Sequence, residues 1–298
     1  MPGAQEVEID GRRLGLSNLD KVLYPSGFTK AGVIDYYVRV GPTMLRHLSG
    51  RPLTLKRYPN GSTASFFYEK NCPSHRPDWV RTIEIPSRRK SERTINYCSA
   101  DDLATLVWLA NLAALELHPL LARGADIERP TAVVFDLDPG APAAMAECAQ
   151  VAGEIRELLR PLGLEAFPKT SGSKGLQLYL PLNTDTTYES TKPFAHRVAV
   201  TLAKKLPNLV VAKMDKALRR GKVLIDWSQN HPTKTTVGAY SLRAMDRPTV
   251  STPVSWDEVE AAAGGGELRF EAGDVIARVG EMGDLFAPVA DLEQVLPD

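Results

Sequence analysis

The sequence predicts a fold of the α/β (α+β) class, in which mixed and antiparallel sheets are flanked by helices. Short apolar runs bounded by turn residues alternate with helical patterns along the chain. Between residues 131 and 229 their order is β-α-β-β-α-β, which is typical of a split-βαβ unit with its helices on one face of a sheet. The chain has 298 residues, 43% hydrophobic and 24% charged, which is an ordinary globular composition with enough length for a substantial core.

The N-terminal part of the chain is predicted to contain several short strands and two helices. The predicted strands lie in residues 6–18 (a hairpin turning at Asp10-Gly11), 51–61, 64–70, 82–86 and 93–100. The first helix follows a cap at Asp20 or Thr29 and runs through Leu45. The second opens at Ser99 or Asp101, and its apolar run is expected to continue to about Leu117.

The second half of the chain begins with the strand "TAVVFDLDPG", residues 131–140. Residues 144–162 and 192–206 are predicted helices, and further strands are expected at 164–168, 175–182 and 222–229. The glycine-rich stretch 261–268 predicts an exposed loop before a short acidic C-terminal helix.

The zero net charge of the chain hides a strong asymmetry. Residues 251–298 hold eleven acidic and two basic residues, which leaves residues 1–250 with nine excess positive charges. The densest basic stretch, residues 204–222, has seven basic residues and one acidic residue. Such a distribution predicts either a polyanionic partner or a solvated basic helix face.

The chain has three cysteines, Cys72, Cys98 and Cys148, without a CxxC pair. A sparse, odd number predicts reduced thiols and a cytoplasmic location. The N-terminus lacks the pattern of a secretory signal peptide. The most apolar helical stretch, residues 103–115, is shorter than the roughly 20 residues that span a bilayer, so no membrane partner is expected.

Asp136 and Asp138 end the opening strand of the second half, and residues i and i+2 of a strand point to the same face. Two carboxylates so placed require a cation between them. Asp226 ends another apolar strand, so three carboxylates could hold the two ions that phosphoryl transfer uses. Mg²⁺ or Mn²⁺ suits such oxygen ligands. The Asp136–Asp138 pair by itself has three alternative interpretations. It could be the nucleophile motif of a haloacid-dehalogenase phosphatase, which the following Pro139-Gly140 disfavours. It could also be the metal-binding DxD motif of a nucleotide-sugar transferase, or two solvated aspartates at the end of a strand.

Between these acidic strands lies "KTSGSKGLQLYLP", residues 169–181. Its small residues from Ser171 to Gly175 allow backbone N–H groups to approach phosphate oxygens, and Lys174 adds a positive charge. The spacing is not that of a P-loop, so this loop on its own is a weak signal for phosphate binding.

Taken together, five segments resemble one family. They are "DKVLYP", "ALELH", "VFDLDPG", "TSGSKGLQLY" and "KVLIDWSQN", and they occur in the family's order between about Ser17 and Ala287. The chain is similar to the polymerase domain of bacterial DNA ligase D, a branch of the archaeo-eukaryotic primase superfamily, and is expected to be a stand-alone relative. The resemblance implies a primase-polymerase fold with an RRM-like split-βαβ module. It implies a single domain over 1–298, with an N-terminal module at about 1–125, a catalytic module at about 126–250 and an acidic segment, 251–298, packed on the domain.

The resemblance also assigns residues to roles. The catalytic metal ligands would be Asp136, Asp138 and Asp226, holding two Mn²⁺ or Mg²⁺ ions. The nucleotide-binding residues would be Lys56, His118, Ser171, Lys174, Gln177, Arg219, Lys222, Gln229 and Arg243. Asn18, Lys21 and Lys30 would bind a 5′-phosphate of DNA, and Phe66 and Phe67 would stack on a template base. Gln177 stands where the family usually has histidine, and unlike histidine it carries no charge.

By this resemblance the chain would be a DNA-dependent DNA/RNA polymerase, which is a nucleotidyltransferase. It would extend primers, fill short gaps in DNA repair by end joining and start primers. It would prefer ribonucleotides. Its partners would be DNA with gaps or ends bearing a 5′-phosphate, NTP or dNTP, an end-binding protein and a ligase. A monomer in the bacterial cytoplasm, associated with the nucleoid, is expected. The alternatives are a non-catalytic DNA-end or gap-binding protein and a metal-dependent nucleotide-sugar transferase.

Overall fold

The computed structural model describes residues 5–87 and 94–297 of the chain. In these ranges the strands are β1 (Gln5–Ile9), β2 (Arg12–Leu16), β3 (Leu53–Arg57), β4 (Phe67–Glu69), β5 (Thr82–Pro86), β6 (Thr94–Cys98), β7 (Ala114–Pro119), β8 (Ala132–Pro139), β9 (Phe167–Thr170), β10 (Leu176–Pro181), β11 (Val210–Val211) and β12 (Val223–Asp226). The α-helices are α1 (Lys30–Leu48), α2 (Leu103–Asn111), α3 (Met145–Leu159), α4 (Tyr188–Lys205), α5 (Trp256–Ala263), α6 (Ala272–Met282) and α7 (Ala287–Asp291).

The chain forms two compact units. The first unit consists of Met1–Asp126, Thr235–Val250 and Phe270–Gly283, and the second unit consists of Ile127–Lys234, Ser251–Arg269 and Asp284–Asp298. The predicted division at about residue 125, and the separate acidic segment from residue 251, stay predictions. Among the described residues, no helix combines the length and the apolar content that crossing a membrane requires.

The second unit contains the predicted β-α-β-β-α-β order. Its sheet has the strand order β11-β12-β8-β10-β9, and β8 pairs antiparallel with both β12 and β10. On β8, Val133, Phe135 and Leu137 are fully buried, whereas Asp136 and Asp138 point to the opposite face. Helices α3 and α4 pack against β8. The RRM-like module is therefore confirmed, and one face of its sheet remains available to polar groups.

Strand β9 begins three residues later than the sequence predicts, at Phe167 instead of Leu164. Its bounds follow from pairing with β10, in which Lys169 lies opposite Gln177. Helix α4 differs in the opposite direction, since it begins four residues earlier than predicted, directly after Thr187. The shift of β9 matters because it places Lys169 inside the sheet.

The first unit is built around α1 and a five-stranded sheet. Thr29 caps α1, since its hydroxyl accepts a hydrogen bond from the N–H of Gly32, as one of the two sequence alternatives predicts. Strand β3 pairs antiparallel with β4 on one side and with β7 on the other. The predicted hairpin at Asp10-Gly11 is present as β1 and β2.

The predicted helix from residue 99 or 101 to about Leu117 is wrong in its second half. Helix α2 begins after Asp102, whose side chain accepts the Thr105 N–H, and it ends at Asn111. Ala113 has a left-handed backbone (φ 57°), which stops the helix, and the next residues form β7. The apolar run could have continued a helix, but pairing with β3 satisfies its backbone groups instead.

The prediction of reduced thiols is wrong for two of the three cysteines. Cys72 and Cys98 form a disulfide across 26 residues, with their Cα atoms 4.8 Å apart. The backbone N–H of Cys72 donates to the carbonyl of Asn96 on β6, which brings the two cysteines together. Cys148 is free and buried. The cysteines therefore give no support for the predicted cytoplasmic location, which stays a prediction.

Candidate functional site

Four polar residues form one row across the sheet of the second unit. Asp226 on β12 is in register with Asp136 on β8, Asp136 with Gln177 on β10, and Gln177 with Lys169 on β9. Residues in register on neighbouring strands point to the same face, with Cβ atoms about 4.5–5.5 Å apart. Asp138 adds a second carboxylate two residues further along β8.

The carboxylates of Asp136, Asp138 and Asp226 form a cluster in which one oxygen of each lies within 4.8 Å of the others. Burial raises the pKa of Asp136 to about 7, and the negative charges of Asp138 and Asp226 contribute to this rise. Burial and Asp226 also raise the pKa of Asp138, although Arg219 opposes the shift. The three carboxylates repel each other, and oxygen ligands so grouped suit a divalent cation. The residues present therefore fit the metal-ion site that the sequence predicts.

Two glycines allow the chain to approach this cluster closely. A Cβ atom at Gly140 would lie 2.0 Å from the carbonyl oxygen of Arg219, and one at Gly175 would lie 2.2 Å from that of Leu137. Any larger residue would displace the backbone there. Gly175 closes the loop that begins at Ser171, whose hydroxyl accepts the N–H groups of Ser173 and Gly175. The small residues thus shape a tight turn beside the end of β8, and Lys174 is exposed on it.

Asp226 is held by the short helix that follows β12. The N–H and hydroxyl of Ser228 both donate to its Oδ1, and the Gln229 amide donates to its Oδ2 at 3.0 Å. Lys234 in turn donates to the hydroxyl of Ser228. Gln229 therefore orients a carboxylate of the cluster. Lys222 donates to the carbonyl of Pro207.

In the first unit, Glu116 forms the centre of a group of cations. Lys56 lies directly opposite it across β3 and β7, with Nζ 3.5 Å from Oε1, and Arg243 Nε is 3.4 Å from the same oxygen. His118 Nε2 is 2.9 Å from Oε2, and the Tyr58 hydroxyl donates to Oε1 at 3.2 Å. The predicted residues Lys56, His118 and Arg243 are therefore brought together by a carboxylate.

This arrangement determines the protonation of the pair Glu116 and His118. Burial alone would raise the pKa of Glu116, but the hydrogen bond from His118 and the positive charge of Arg243 hold it well below its usual range. Burial lowers the pKa of His118 despite the hydrogen bond to Glu116, so its imidazole is neutral at pH 7. An ionised carboxylate only accepts hydrogen bonds, so Nε2 carries the proton and Nδ1 is an acceptor.

The predicted phosphate-binding residues Asn18, Lys21 and Lys30 lie close together at the start of α1. The backbone N–H of Lys21 donates to the carbonyl of Asn18, and that of Lys30 donates to the carbonyl of Lys21. The Lys30 ammonium donates to the carbonyl of Ser17 at 2.7 Å. Burial, together with the charges of Lys21 and Arg57, lowers the pKa of Lys30 to about 8. Mutual repulsion of these cations marks a place for an anion.

Phe66 and Phe67 are both about half exposed, 46% and 44%, so neither belongs to the core. The Phe66 ring packs on Tyr58 and Tyr68, and the Lys56 ammonium lies 4.2 Å from its centre. The Arg57 guanidinium lies 5.0 Å from the centre of the Phe67 ring. Exposed rings backed by cations are suited to stack on nucleic-acid bases.

Sequence reasoning missed Glu116, Lys169 and Lys234. The spacing of Glu116 and His118 would have placed both on one face, had residues 114–119 been recognised as a strand. No local signal distinguishes Lys169, because lysine is usually exposed and its complete burial depends on strands distant in the sequence.

Comparisons with known proteins agree with this geometry. The family model described as "LigD, primase-polymerase domain" matches residues 29–286. The chain is 44% identical over 280 residues to the multifunctional non-homologous end joining protein LigD of Mycolicibacterium smegmatis, covering 93% of this chain and 36% of that protein. It is 33% identical over 252 residues to the bifunctional LigD of Bacillus subtilis, covering 84% of this chain and 40% of that protein. The chain thus spans well under half the length of these relatives.

Among solved structures, the polymerase domain of Mycobacterium tuberculosis ligase D in complex with DNA matches with a TM-score of 0.88 and 40% identity. The match covers 95% of this chain and 99% of that chain. Its fold is therefore that of the present chain over almost the whole length. On the family model, the sequence relatives and the shared fold, the chain belongs to the LigD primase-polymerase domain family.

Proposed function

We propose that the protein is a DNA-dependent polymerase that extends primers and fills short gaps carrying a 5′-phosphate, in DNA repair by end joining. The observation that carries this proposal is the cluster of Asp136, Asp138 and Asp226, with ligand oxygens within 4.8 Å of one another. The family is of nucleotidyltransferase type, and its curated relatives bear the name of non-homologous end joining proteins.

The proposed cofactors are two Mn²⁺ or Mg²⁺ ions held by these three aspartates. When bound, the ions would stabilise the charge on the attacking and leaving oxygens of a phosphoryl transfer. Gln177 and Gln229 hold one oxygen each of Asp136 and Asp226, which restricts the rotation of both carboxylates.

In the second unit, the proposed triphosphate-binding residues are Ser171, Lys174, Arg219 and Lys222. The turn from Ser171 to Gly175 presents small residues and an exposed lysine, which suits phosphate oxygens. Arg219 acts electrostatically on Asp138, which supports a place near the metal ligands.

In the first unit, we propose that Lys56, His118 and Arg243 bind the nucleotide. Because His118 is neutral and its Nε2 proton is held by Glu116, its Nδ1 can accept a hydrogen bond from a hydroxyl. A sugar hydroxyl fits this acceptor better than a phosphate oxygen does, and we propose that it is the 2′-hydroxyl, which only ribonucleotides carry.

Asn18, Lys21 and Lys30 are proposed to bind the 5′-phosphate of the downstream strand, and Phe66 and Phe67 to stack on the template. The like charges around Lys30 support the first assignment and the exposed rings support the second. The remaining proposals are a monomer that acts on DNA at the nucleoid in the bacterial cytoplasm, together with an end-binding protein and a ligase.

A primer-extension assay tests the proposal. The substrate is a duplex with a short gap and a 5′-phosphate, supplied with NTP or dNTP and with Mn²⁺ or Mg²⁺. The parent should add templated nucleotides, with NTP used more efficiently. Asp138→Ala should abolish addition while DNA binding survives, because duplex affinity depends on basic residues.

Two results would contradict the proposal. A parent that binds gapped DNA but adds no nucleotide under any condition would be a non-catalytic gap binder. An Asp138→Ala variant with activity within a few-fold of the parent would exclude the aspartate cluster from the reaction.

A further inference from the structure

Lys169 is fully buried, yet it lies in the row of polar residues that ends at the aspartates. Its ammonium donates to the Gln177 Oε1 at 2.5 Å and to the Ser251 hydroxyl at 2.6 Å. Its Nζ also lies 5.4 Å from the centre of the Tyr179 ring. Burying a cation costs free energy unless the cation is hydrogen-bonded. The hydrogen bonds to Gln177 and Ser251 therefore stabilise the ammonium of Lys169 in this buried position.

The chain after residue 250 secures this lysine from the side opposite to Gln177. Residues Lys169 and Pro253 pair as an antiparallel bridge, and the N–H of Thr170 donates to the carbonyl of Thr252. The Ser251 hydroxyl donates its proton to the carbonyl of Thr170, so its lone pairs face the ammonium. Lys169 therefore has little freedom to move.

The chemistry of lysine determines the orientation of the Gln177 amide. An ammonium group only donates hydrogen bonds, so the Gln177 atom that faces it must be the oxygen. The NH₂ group must then face the other way, and it donates to Asp136 Oδ1 at 2.9 Å. A rotated amide would turn its oxygen toward the carboxylate and its NH₂ toward the ammonium, and both contacts would be repulsive.

We propose that Lys169 is a positioning residue for metal binding. It orients the Gln177 amide, which holds one carboxylate oxygen of Asp136 in place and leaves the other oxygen to bind a cation. The proposal deepens the metal site proposed above and rests on it. Partners behind a metal ligand typically contribute a factor of about 10–100 to metal affinity. The positive charge of Lys169 also acts on Asp136 directly and opposes the rise of its pKa, so the test separates this charge effect from the hydrogen bond to Gln177.

Binding of Mn²⁺ to the full chain, without DNA or nucleotide, tests the proposal through the electron paramagnetic resonance signal of free Mn²⁺. Lys169→Met should raise the Mn²⁺ Kd about tenfold. Lys169→Gln is the matched control, since it removes the same charge but keeps an N–H donor for Gln177, and its Kd should stay within about threefold of the parent. Equal weakening in both variants would mean that only charge matters, and would overturn the proposal.

A double variant provides the second measurement; if Lys169→Met does not fold, a Mn²⁺ Kd about tenfold weaker in Lys169→Gln still overturns the proposal. A histidine at position 177 can donate to Asp136 without being oriented by a lysine. Lys169→Met combined with Gln177→His should therefore bind Mn²⁺ as tightly as Gln177→His alone. A Kd about tenfold weaker in the double variant would refute a role through residue 177.

The same titration separates this inference from the metal site itself. If the parent and Asp136→Ala bind Mn²⁺ equally, the proposed metal site is wrong. If Asp136→Ala loses binding while Lys169→Met keeps the parent's Kd, the metal site stands and the positioning role is wrong.

Discussion

The raised pKa of Asp136 makes the stability of the metal-free protein depend on pH in a defined direction. The carboxyl titrates at about 7 in the folded protein, against a value of 3.8 for an unperturbed aspartate. Between these values the folded state keeps a proton that the unfolded chain has lost. The free energy of unfolding should therefore fall by up to about 1.4 kcal/mol for each pH unit as the pH rises through this window.

The perturbation is Asp136→Asn, which replaces the titrating group by a neutral one of the same shape. Between about pH 5 and about pH 8 the parent should lose about 2.5 kcal/mol through this group, whereas the variant should not. The variant should consequently gain about 2.5 kcal/mol over the parent across this range. Above pH 8 the difference should level off, because the carboxyl is then ionised in both states.

Urea unfolding followed by circular dichroism, with a chelator present, measures this difference at each pH. Saturating Mn²⁺ should stabilise the parent most at the alkaline end, because it binds the ionised carboxylate and displaces the proton. Stability profiles that run parallel from pH 5 to pH 8 would refute the reasoning, since the three carboxylates would then not be forced together in the folded state.

Four further substitutions test other parts of the protein. Lys21→Ala and Lys30→Ala should each weaken binding to gaps with a 5′-phosphate but not to gaps with a 5′-hydroxyl. The parent's preference for the 5′-phosphate should decline above about pH 8, where Lys30 loses its proton. Equal losses on both substrates in a binding titration would refute the phosphate pocket. Glu116→Gln should lower the free energy of unfolding by about 3 kcal/mol at neutral pH, because it leaves buried cations unpaired. Its difference from the parent should shrink as the pH falls below the unfolded value of 4.5, since the parent then loses its own carboxylate contribution; a difference independent of pH would contradict this. Phe66→Ala should weaken binding of gapped DNA by about 1–3 kcal/mol in a fluorescence titration if the ring stacks on a template base, and unchanged binding would exclude that role.

Much of the fold of the second unit could be predicted from local patterns. The apolar runs and turn residues predict β8, α3, β9, β10, α4 and β12 in the observed order, with the starts of β9 and α4 displaced by three and four residues. They do not predict β11 or α5. The long apolar run after Asp102 predicts a helix only in part correctly, because its hydrophobicity fits either a buried helix or a buried strand. The structure selects a strand there because β3 offers a partner for its backbone groups.

The sequence by itself determined which groups share a face within one strand. A period of two places Asp136 beside Asp138 on β8, and the turn glycines near Ser171 follow from the local sequence. Only the tertiary structure decided that Asp226, Gln177 and Lys169 join Asp136 in one row. The reason is that strand register between segments tens of residues apart depends on packing of the whole sheet, which no local pattern encodes.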